Sequence, residues 1–167
     1  MLIFLIGMMG SGKSTIGQLL SEELGLSYFD TDDIISSLEG KSIAEIFEHQ
    51  GENYFRNLEK ELIHNWKLSD GVVATGGGLP CHNENIDVLN QKGKTIYLVT
   101  SVDQLAKRVF DVQTRPLLVG KTINEIKNTI SDLLKSRKIY YDRAKIKVKT
   151  EPSPDECMRR IVRKLYT

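Results

Sequence analysis

A short stretch near the start of the chain combines glycines, a lysine and hydroxyl side chains at a spacing that suits phosphate chemistry. Residues 7–15 read GMMGSGKST, contain G-x-x-x-x-G-K-[ST], and directly follow the apolar run LIFLI. Glycines let the backbone wrap around an anion with its N–H groups pointing inward, and the next helix adds the positive end of its dipole. We therefore predict a nucleoside triphosphate site formed by Gly10, Ser11, Gly12, Lys13, Ser14 and Thr15.

Three side chains of this loop are expected to divide the phosphate contacts. Lys13 can reach the β and γ phosphates, Ser14 can offer its hydroxyl to Mg²⁺, and Thr15 can add a contact near the α phosphate. The alternative is a glycine-rich turn with an exposed lysine. The apolar run before the motif and the helix expected from Lys13 favour the nucleotide site.

Three acids follow another apolar run, in the sequence LSYFDTDD at residues 26–33. In an open α/β sheet ligands bind beyond the carboxyl ends of the strands, so Asp30 and Asp32 should point towards the phosphates. A kinase needs a group that positions Mg²⁺ and a carboxylate that orients the acceptor hydroxyl. We assign the catalytic role to Asp32, while helix capping remains an alternative explanation for part of the cluster.

A second glycine run and two arginines complete a candidate site for a second substrate. VVATGGG places Gly76, Gly77 and Gly78 at a strand end, where a backbone can approach a ligand closely. Arg56 precedes Glu59 by three residues, so that the carboxylate can hold the guanidinium while its free edge binds an anion. Arg115, beside Pro116, could bring charge onto the transferring phosphoryl group. A surface ion pair and a solvated loop charge are the respective alternatives.

Arg137 interrupts an apolar pattern. Ile126, Ile130, Leu133 and Leu134 form a helical stripe on which position 137 is due to be apolar. An arginine there requires an anionic partner or the edge of a cleft, unless its charged end reaches water from the helix end. Residues 135–149 contain seven Lys or Arg and one acid, but three of the lysines alternate with apolar residues as on an exposed strand. We therefore expect no nucleic-acid partner.

The elements that must position these residues follow a βα rhythm, with strands expected at residues 2–6, 26–29, 72–75, 95–99 and 146–148. One of the helices between them shows a half-buried stripe of Val102, Leu105, Ala106, Val109 and Phe110. We predict a three-layer α/β/α fold around a five-stranded parallel sheet. It forms one domain over 1–167, with core segments 1–31, 67–110 and 122–167, a helical insertion at about 32–66 and a lid at about 111–121.

Composition limits the other possibilities. The chain has 167 residues, 40% of them hydrophobic and 27% charged, which is typical of one globular domain. The formal net charge of +1 predicts no bulk attraction to nucleic acid or anionic lipid. Two distant cysteines suggest neither a disulfide framework nor zinc, and no apolar run has the ~20 residues that span a bilayer. We expect a cytoplasmic protein that acts as a monomer without a membrane partner.

The segments GMMGSGKS, DTD, FRNLE, TGGG and RPLL, in this order and at these spacings, resemble shikimate kinase. The resemblance extends from residue 2 to about residue 165. It implies a fold similar to nucleoside monophosphate kinases, with ATP as co-substrate and Mg²⁺. It also implies phosphorylation of the 3-hydroxyl of shikimate, a step of chorismate and aromatic amino-acid biosynthesis.

The resemblance also implies residue roles. The acid that binds shikimate falls on Asp32, and the arginines that bind its carboxylate fall on Arg56 and Arg137, beside the glycine wall 76–78. Asp30 is similar to the acid near Mg²⁺, which usually acts through water, and Arg115 to the arginine of the lid. Adenine contacts are implied for Arg108 and for Pro152 or Pro154, and of these two prolines we choose Pro154. Lys13, Asp32 and Arg115 are the expected catalytic residues.

Two alternatives remain. Another small-molecule kinase of the same fold, for gluconate or a nucleotide, would share the phosphate loop. However, two arginines with one acid suit a polyhydroxylated carboxylate better than a base. A nucleotide-dependent switch protein of the GTPase type would need N-K-x-D and D-x-x-G, and neither string occurs.

Overall fold

The computed structural model describes residues 1–112 and 120–167 of the chain. Within these ranges the predicted α/β fold is confirmed, because five parallel strands form one sheet in the order β2-β3-β1-β4-β5. The strands are β1 Leu2–Ile6, β2 Tyr28–Asp30, β3 Gly71–Ala74, β4 Lys94–Val99 and β5 Ile146–Lys149. The helices are α1 Lys13–Leu24, α2 Thr31–Glu39, α3 Ile43–Gln50, α4 Glu52–His64, α5 Asn85–Lys92, α6 Val102–Val112, α7 Ile123–Tyr141 and α8 Pro154–Leu165.

Strand β1 lies in the middle of the sheet and pairs with β3 on one side and β4 on the other. All five of its residues are buried. A central parallel strand is covered by helices on both faces, so it reads as a continuous apolar run rather than as an alternating one. The run LIFLI is therefore the central strand of the sheet, and its continuous apolar character follows from this position.

Each face of the sheet has its own hydrophobic core. On one face, residues of α1 and α8 pack on the sheet through Ile16, Leu20, Cys157, Ile161, Leu165, Ile3, Leu5 and Ile96. On the other face, residues of α4 to α7 pack on it through Ile63, Ile86, Leu89, Leu105, Ala106, Val109, Ile126, Ile130, Tyr141, Phe4 and Val73. The sheet therefore lies between two helical layers, as the alternating pattern predicted.

Three helices, α2 to α4, lie between β2 and β3 and share a small core of Ile35, Ile46 and Phe55. Helix α3 begins with a capping box in which Ser42 and Glu45 exchange hydrogen bonds. Gly51 alone separates α3 from α4, and its φ of 85° allows the sharp change of direction between them. The short turn brings the side chains of α3 and the N-terminal half of α4 to the same side of the molecule.

Two expectations need correction. The second strand begins at Tyr28 and not at residue 26, because the Leu26 N–H donates to Ser21 O and still belongs to the end of α1. Phe110 is 39% exposed, although the stripe predicted partial burial. Eight residues rotate a helix by roughly 80° beyond two full turns, so residue 110 lies at the edge of the stripe that starts at Val102.

Arg115 and Pro116 lie outside the described residues, so the lid at about 111–121 stays a prediction, as does the division of the domain into core, insertion and lid. Among the helices that the structure describes, none is long and apolar enough to cross a membrane.

Candidate functional site

The phosphate loop, residues 7–15, connects β1 to α1. Its three glycines, Gly7, Gly10 and Gly12, have φ angles of 144°, 77° and 91°, values that side-chain-bearing residues rarely adopt. The loop therefore turns tightly and ends at the N-terminus of α1, where the first backbone N–H groups have no partner within the helix. This is the geometry that the sequence motif predicted for an anion site.

The Lys13 side chain folds back over the phosphate loop. Its ammonium donates to Gly7 O and Met8 O, both at 2.8 Å, and to Ser11 Oγ at 3.4 Å. These acceptors are neutral, so a phosphate oxygen on the loop would give the ammonium a stronger, charge-assisted hydrogen bond. Lys13 is thus placed within the loop itself and partly buried, which excludes the alternative of an exposed lysine on a plain turn.

Asp30 caps a helix and also contacts the phosphate loop. Its Oδ1 accepts from the Asp32 N–H at 2.9 Å and so caps helix α2. Its Oδ2 accepts from Ser14 Oγ at 3.3 Å and from the Tyr28 hydroxyl at 3.4 Å. One oxygen thus caps the helix, while the other lies beside the Ser14 hydroxyl at the phosphate loop.

A cavity of about 450 Å³ opens beside the phosphate loop, at the carboxyl ends of the neighbouring strands β2, β3 and β1. We call it the substrate cavity. All six residues that were predicted to bind the second substrate line this cavity, together with further residues of α3 and α4. Its lining consists of Met9, Asp32, Ser42, Ile43, Ala44, Phe47, Phe55, Arg56, Glu59, Gly76, Gly77, Gly78 and Arg137.

The glycine segment 76–78, which we call the glycine wall, lines this cavity and lies against the phosphate loop. A Cβ on Gly77 would lie 3.4 Å from the Met9 N atom, 3.5 Å from Gly7 O and 3.4 Å from Arg137 Nη1. Gly77 is therefore close both to the backbone of the phosphate loop and to the guanidinium of Arg137. A group bound in the cavity and a phosphate bound on the loop would be close neighbours.

Two carboxyl groups face the same small space above Gly76. A Cβ there would lie 2.8 Å from Asp32 Oδ1 and 3.0 Å from Glu59 Oε1. The pKa of Glu59 is raised to about 7, mainly by burial and to a smaller extent by the charge of Asp32, in spite of the opposing effect of Arg56. Glu59 is therefore partly protonated near neutral pH, and its proton reduces the repulsion between the two carboxyl groups.

Arg56 lies between two glutamates of α4. Its Nη1 donates to Glu59 Oε2 at 2.7 Å, while Nε and Nη2 both donate to Glu52 Oε1, at 3.2 and 3.1 Å. The Glu59 side chain is fully buried, whereas 58% of the Glu52 side chain is exposed. The sequence predicted the pairing with Glu59 and a free second edge. The structure shows Glu52 on that edge instead.

Gly78 limits the space in front of Arg56. A Cβ on this residue would lie 2.6 Å from both Nη1 and Nη2 and 2.8 Å from Cζ, so any side chain here would force the guanidinium of Arg56 to move. The φ and ψ angles of Gly78, −86° and −16°, are open to every residue. Glycine at this position therefore leaves space for the observed position of Arg56 and is not needed for the backbone conformation.

Arg137 reaches the cavity from α7, as the break in its apolar stripe predicted. Its Nη1 lies 4.0 Å from Met8 Sδ, and among the described residues no carboxylate forms an ion pair with it. One turn later on the same face, Tyr141 is fully buried and donates to Gly77 O at 2.6 Å. The helix thus anchors the glycine wall with Tyr141 and presents a cation beside it with Arg137.

The predicted adenine contacts Arg108 and Pro154 belong to two different helices. Arg108 of α6 donates to Gly10 O at 3.1 Å and to Gln104 Oε1 at 3.2 Å, so it lies against the phosphate loop. Pro154 is exposed and is the first residue of α8, after the capping residue Ser153. The lid residue Arg115 falls outside the described ranges.

Two features of the candidate site escaped the sequence reasoning, one beside Arg56 and one in the cavity lining. The first is Glu52, although its spacing of four from Arg56 on one helix is a signal for an ion pair. The second is the apolar wall of Ile43, Phe47, Phe55 and Met9, in which the two phenyl rings lie 4.9 Å apart. Glu52 and the apolar residues other than Met9 belong to helices α3 and α4, whereas Met9 belongs to the phosphate loop.

Comparisons with known proteins agree on one family. A family model described as shikimate kinase matches residues 9–166. The shikimate kinase of Persephonella marina is 42% identical over 162 residues, which covers 96% of each chain. The solved shikimate kinase of Bacteroides thetaiotaomicron has a TM-score of 0.91 and 31% identity, and covers 99% of this chain and 98% of its own.

A structure described as shikimate kinase from Acinetobacter baumannii in complex with shikimate has a TM-score of 0.86 at 33% identity, with 99% of this chain and 92% of its own covered. By contrast, a gluconokinase from Sinorhizobium meliloti reaches a TM-score of 0.59 at 18% identity, over 98% of this chain and 94% of its own. The second likeness shows a shared fold alone. The comparisons do not favour the alternative of a gluconate kinase.

Proposed function

The chain belongs to the shikimate kinase family, and we propose that its phosphate loop and substrate cavity together carry out the family's reaction. It is an ATP-dependent kinase that phosphorylates the 3-hydroxyl of shikimate, giving shikimate 3-phosphate and ADP. The reaction is a step in the biosynthesis of aromatic amino acids. The roles of the individual residues in this chain are our proposal.

One observation supports the proposal most strongly. The substrate cavity, with its two arginines and Asp32, shares Met9 with the phosphate loop, and its glycine segment lies against the backbone of that loop. A hydroxyl held in the cavity can therefore approach a γ-phosphate on the loop. Phosphoryl transfer depends mainly on such positioning and on electrostatic stabilisation.

Arg56 and Arg137 are assigned to the substrate carboxylate. Guanidinium groups bind carboxylates through parallel hydrogen bonds, and both reach the same cavity from different helices. The glycine wall leaves room for the substrate, and the apolar residues Ile43, Phe47 and Phe55 offer a surface for the carbon ring. A ligand with one carboxylate, one ring and several hydroxyls suits this lining.

Asp32 is assigned to the reacting hydroxyl. Its carboxylate accepts the proton of the 3-hydroxyl, the oxygen forms a bond to the γ-phosphorus, and the bond from that phosphorus to the β–γ bridging oxygen breaks. Lys13, once a phosphate replaces its neutral acceptors, stabilises the charge that develops on the transferring group. The electron pair of the broken bond leaves with ADP.

Mg²⁺ fits the residues at the loop. The Ser14 hydroxyl and the Asp30 carboxylate lie together, and both are oxygen ligands of the kind that Mg²⁺ prefers. Among the described residues no cluster of three or more acidic, His or Cys side chains could hold a metal, which suits an ion bound mainly by phosphates and water. We propose that Ser14 and Asp30 hold Mg²⁺, which neutralises phosphate charge when bound.

Further parts of the proposal come from the resemblance. Gly10, Ser11, Gly12 and Thr15 contact the phosphates, Arg108 and Pro154 border the adenine, and Arg115 acts on the phosphoryl group from the lid. We also propose that the enzyme acts as a cytoplasmic monomer without a nucleic-acid or membrane partner.

A coupled assay of ADP release tests the function directly. Shikimate, gluconate and a nucleoside monophosphate are offered separately, each with ATP and Mg²⁺. We expect ADP release at a useful rate with shikimate alone, and none beyond the background hydrolysis of ATP with the other two. A higher kcat/KM for gluconate or for the monophosphate would overturn the proposed substrate.

A further inference from the structure

Arg56 has two carboxylate partners that differ in how firmly they are held. The Glu59 side chain is fully buried, whereas 58% of the Glu52 side chain is exposed to water. An exposed ion pair contributes little to stability, because water solvates both charges well when they separate. Glu52 can therefore leave Arg56 at a low cost, and Glu59 cannot.

The hydrogen bonds of Arg56 make such a departure necessary for a carboxylate ligand. Three carboxyl groups of the described residues, Asp32, Glu52 and Glu59, lie near the guanidinium groups of Arg56 and Arg137. Nη1 of Arg56 donates to Glu59, and its Nε–Nη2 edge donates to Glu52. A ligand carboxylate can form two parallel hydrogen bonds with this guanidinium only if one of the two glutamates leaves it.

Of the three carboxyl groups, Glu52 is the one that can turn away without loss of structure. Asp32 lies in the first turn of α2 above the glycine wall, and Glu59 is buried beneath Arg56. Glu52 is the first residue of α4, next to Gly51. A carboxylate that rotates into solvent there still lies near the positive end of the helix dipole, which favours it.

We propose that Glu52 is a displaceable counter-ion, which holds the Nε–Nη2 edge of Arg56 in the free enzyme and exchanges with the substrate's carboxylate. The inference rests on the proposed function of Arg56. When Glu52 leaves, the cavity gains one unit of positive charge at the moment at which the anion enters. A neutral ligand with the same ring and hydroxyls has no carboxylate to take the place of Glu52. Glu52 should therefore affect the affinity for the anionic substrate and not the affinity for the neutral ligand.

The experiment is a titration of shikimate and of its methyl ester, in the absence of ATP, against the parent enzyme and three variants. Glu52→Gln removes the charge and keeps the shape. Glu52→Asp keeps the charge but shortens the side chain, so that it reaches Arg56 less well. Glu48→Gln, at an exposed position of α3, makes the same change in net charge away from the cavity and serves as the control. Thermal unfolding of each protein checks that the fold is intact.

We expect Glu52→Gln to bind shikimate roughly two- to fivefold more tightly than the parent, the range that an exposed ion pair allows. Its affinity for the methyl ester should stay unchanged, Glu52→Asp should lie between the parent and Glu52→Gln, and Glu48→Gln should match the parent. Weaker shikimate binding by Glu52→Gln would show that Glu52 orients Arg56 and would overturn the inference. An equal gain for both ligands would overturn it too.

The same titration separates this inference from the proposed function. If the parent enzyme binds shikimate no better than the methyl ester, the assignment of the arginines to the carboxylate is wrong, and the exchange fails with it. If the parent prefers shikimate but Glu52→Gln does not increase that preference, the arginines keep their role and the displaceable counter-ion alone is refuted.

Discussion

The phosphate loop consists of nine consecutive residues, whereas the substrate cavity beside it is lined by residues from position 9 to position 137. The loop presents mostly backbone N–H groups, and its shape follows from glycines with positive φ. The cavity presents side chains from α2, α3, α4 and α7 together with the glycine wall. One region is specified locally, and the other exists only once the chain has folded.

The two regions also hold their charged groups in different ways. Lys13 donates to carbonyl oxygens of its own loop, and a phosphate oxygen can replace these neutral acceptors. Arg56, in contrast, is already paired with two carboxylates. The loop is ready for an anion as it stands, while the cavity must rearrange its charges before it binds one. Substitutions in the two regions should therefore have separable effects.

Asp32→Asn is expected to have the largest effect, because it removes the carboxylate that accepts the proton of the reacting hydroxyl. The amide keeps the shape but cannot accept the proton of the hydroxyl, so kcat should fall by roughly 10²–10⁴-fold. ATP affinity should not change, since the phosphate loop is intact. Rates from coupled ADP release and ATP titrations measure the two quantities.

Asp33→Asn is the matched control for this variant, because it makes the same substitution at the exposed neighbouring position. It should keep the parent kcat. If Asp32→Asn retains turnover within a few-fold of the parent, Asp32 is not the group that accepts the proton.

Lys13→Ala tests the other region. The ammonium is assigned to the charge that develops on the transferring phosphoryl group, so its loss should lower kcat by roughly 10²–10³-fold. Shikimate affinity measured without ATP should stay at the parent value, because Lys13 does not line the substrate cavity. Lys107→Ala, at an exposed position of α6, is the control. Normal turnover in Lys13→Ala would contradict the role of the phosphate loop.

Gly78→Ala should have a smaller effect, confined to the cavity. The new methyl group would lie within 2.8 Å of three guanidinium atoms of Arg56 and would displace that side chain, so shikimate affinity should fall roughly tenfold. Gly77→Ala is the comparison, since its methyl group would meet its nearest neighbours at 3.4 Å. Equal losses in the two variants would mean that close approach to Arg56 is not the reason for glycine at residue 78.

The sequence predicted the phosphate loop more completely than the substrate cavity, because the loop is specified by consecutive residues and the cavity by the folded chain. The phosphate loop follows from its own residues, and the positions of Asp30, Asp32 and the glycine wall follow from the rule that strand ends meet at one edge of a parallel sheet. Arg137 was detectable because it breaks an apolar stripe. In each case the signal lies within one element or in a general property of the fold.

The pairing of Glu52 with Arg56 could not be settled in that way. A glutamate four residues before an arginine is an ordinary pattern on exposed helices, and it does not show that the arginine faces a cavity. The aromatic wall depends on how α3 and α4 pack after Gly51, which is a property of tertiary structure. The second strand was placed too early because Leu26, apolar and β-compatible, is held by the end of α1.

The central claim is that Arg56 and Arg137 bind one carboxylate together, and a double-mutant cycle on shikimate affinity tests it most directly. Arg56→Ala and Arg137→Ala should each weaken shikimate binding by ~30-fold or more, as expected when one partner of a desolvated charge pair is lost, with ATP binding unchanged. The double variant should lose less than the product of the two factors, since both arginines act on the same anion. The methyl ester should bind weakly to all four proteins. If both substitutions weaken the ester as much as shikimate, the arginines support the fold and do not bind the carboxylate.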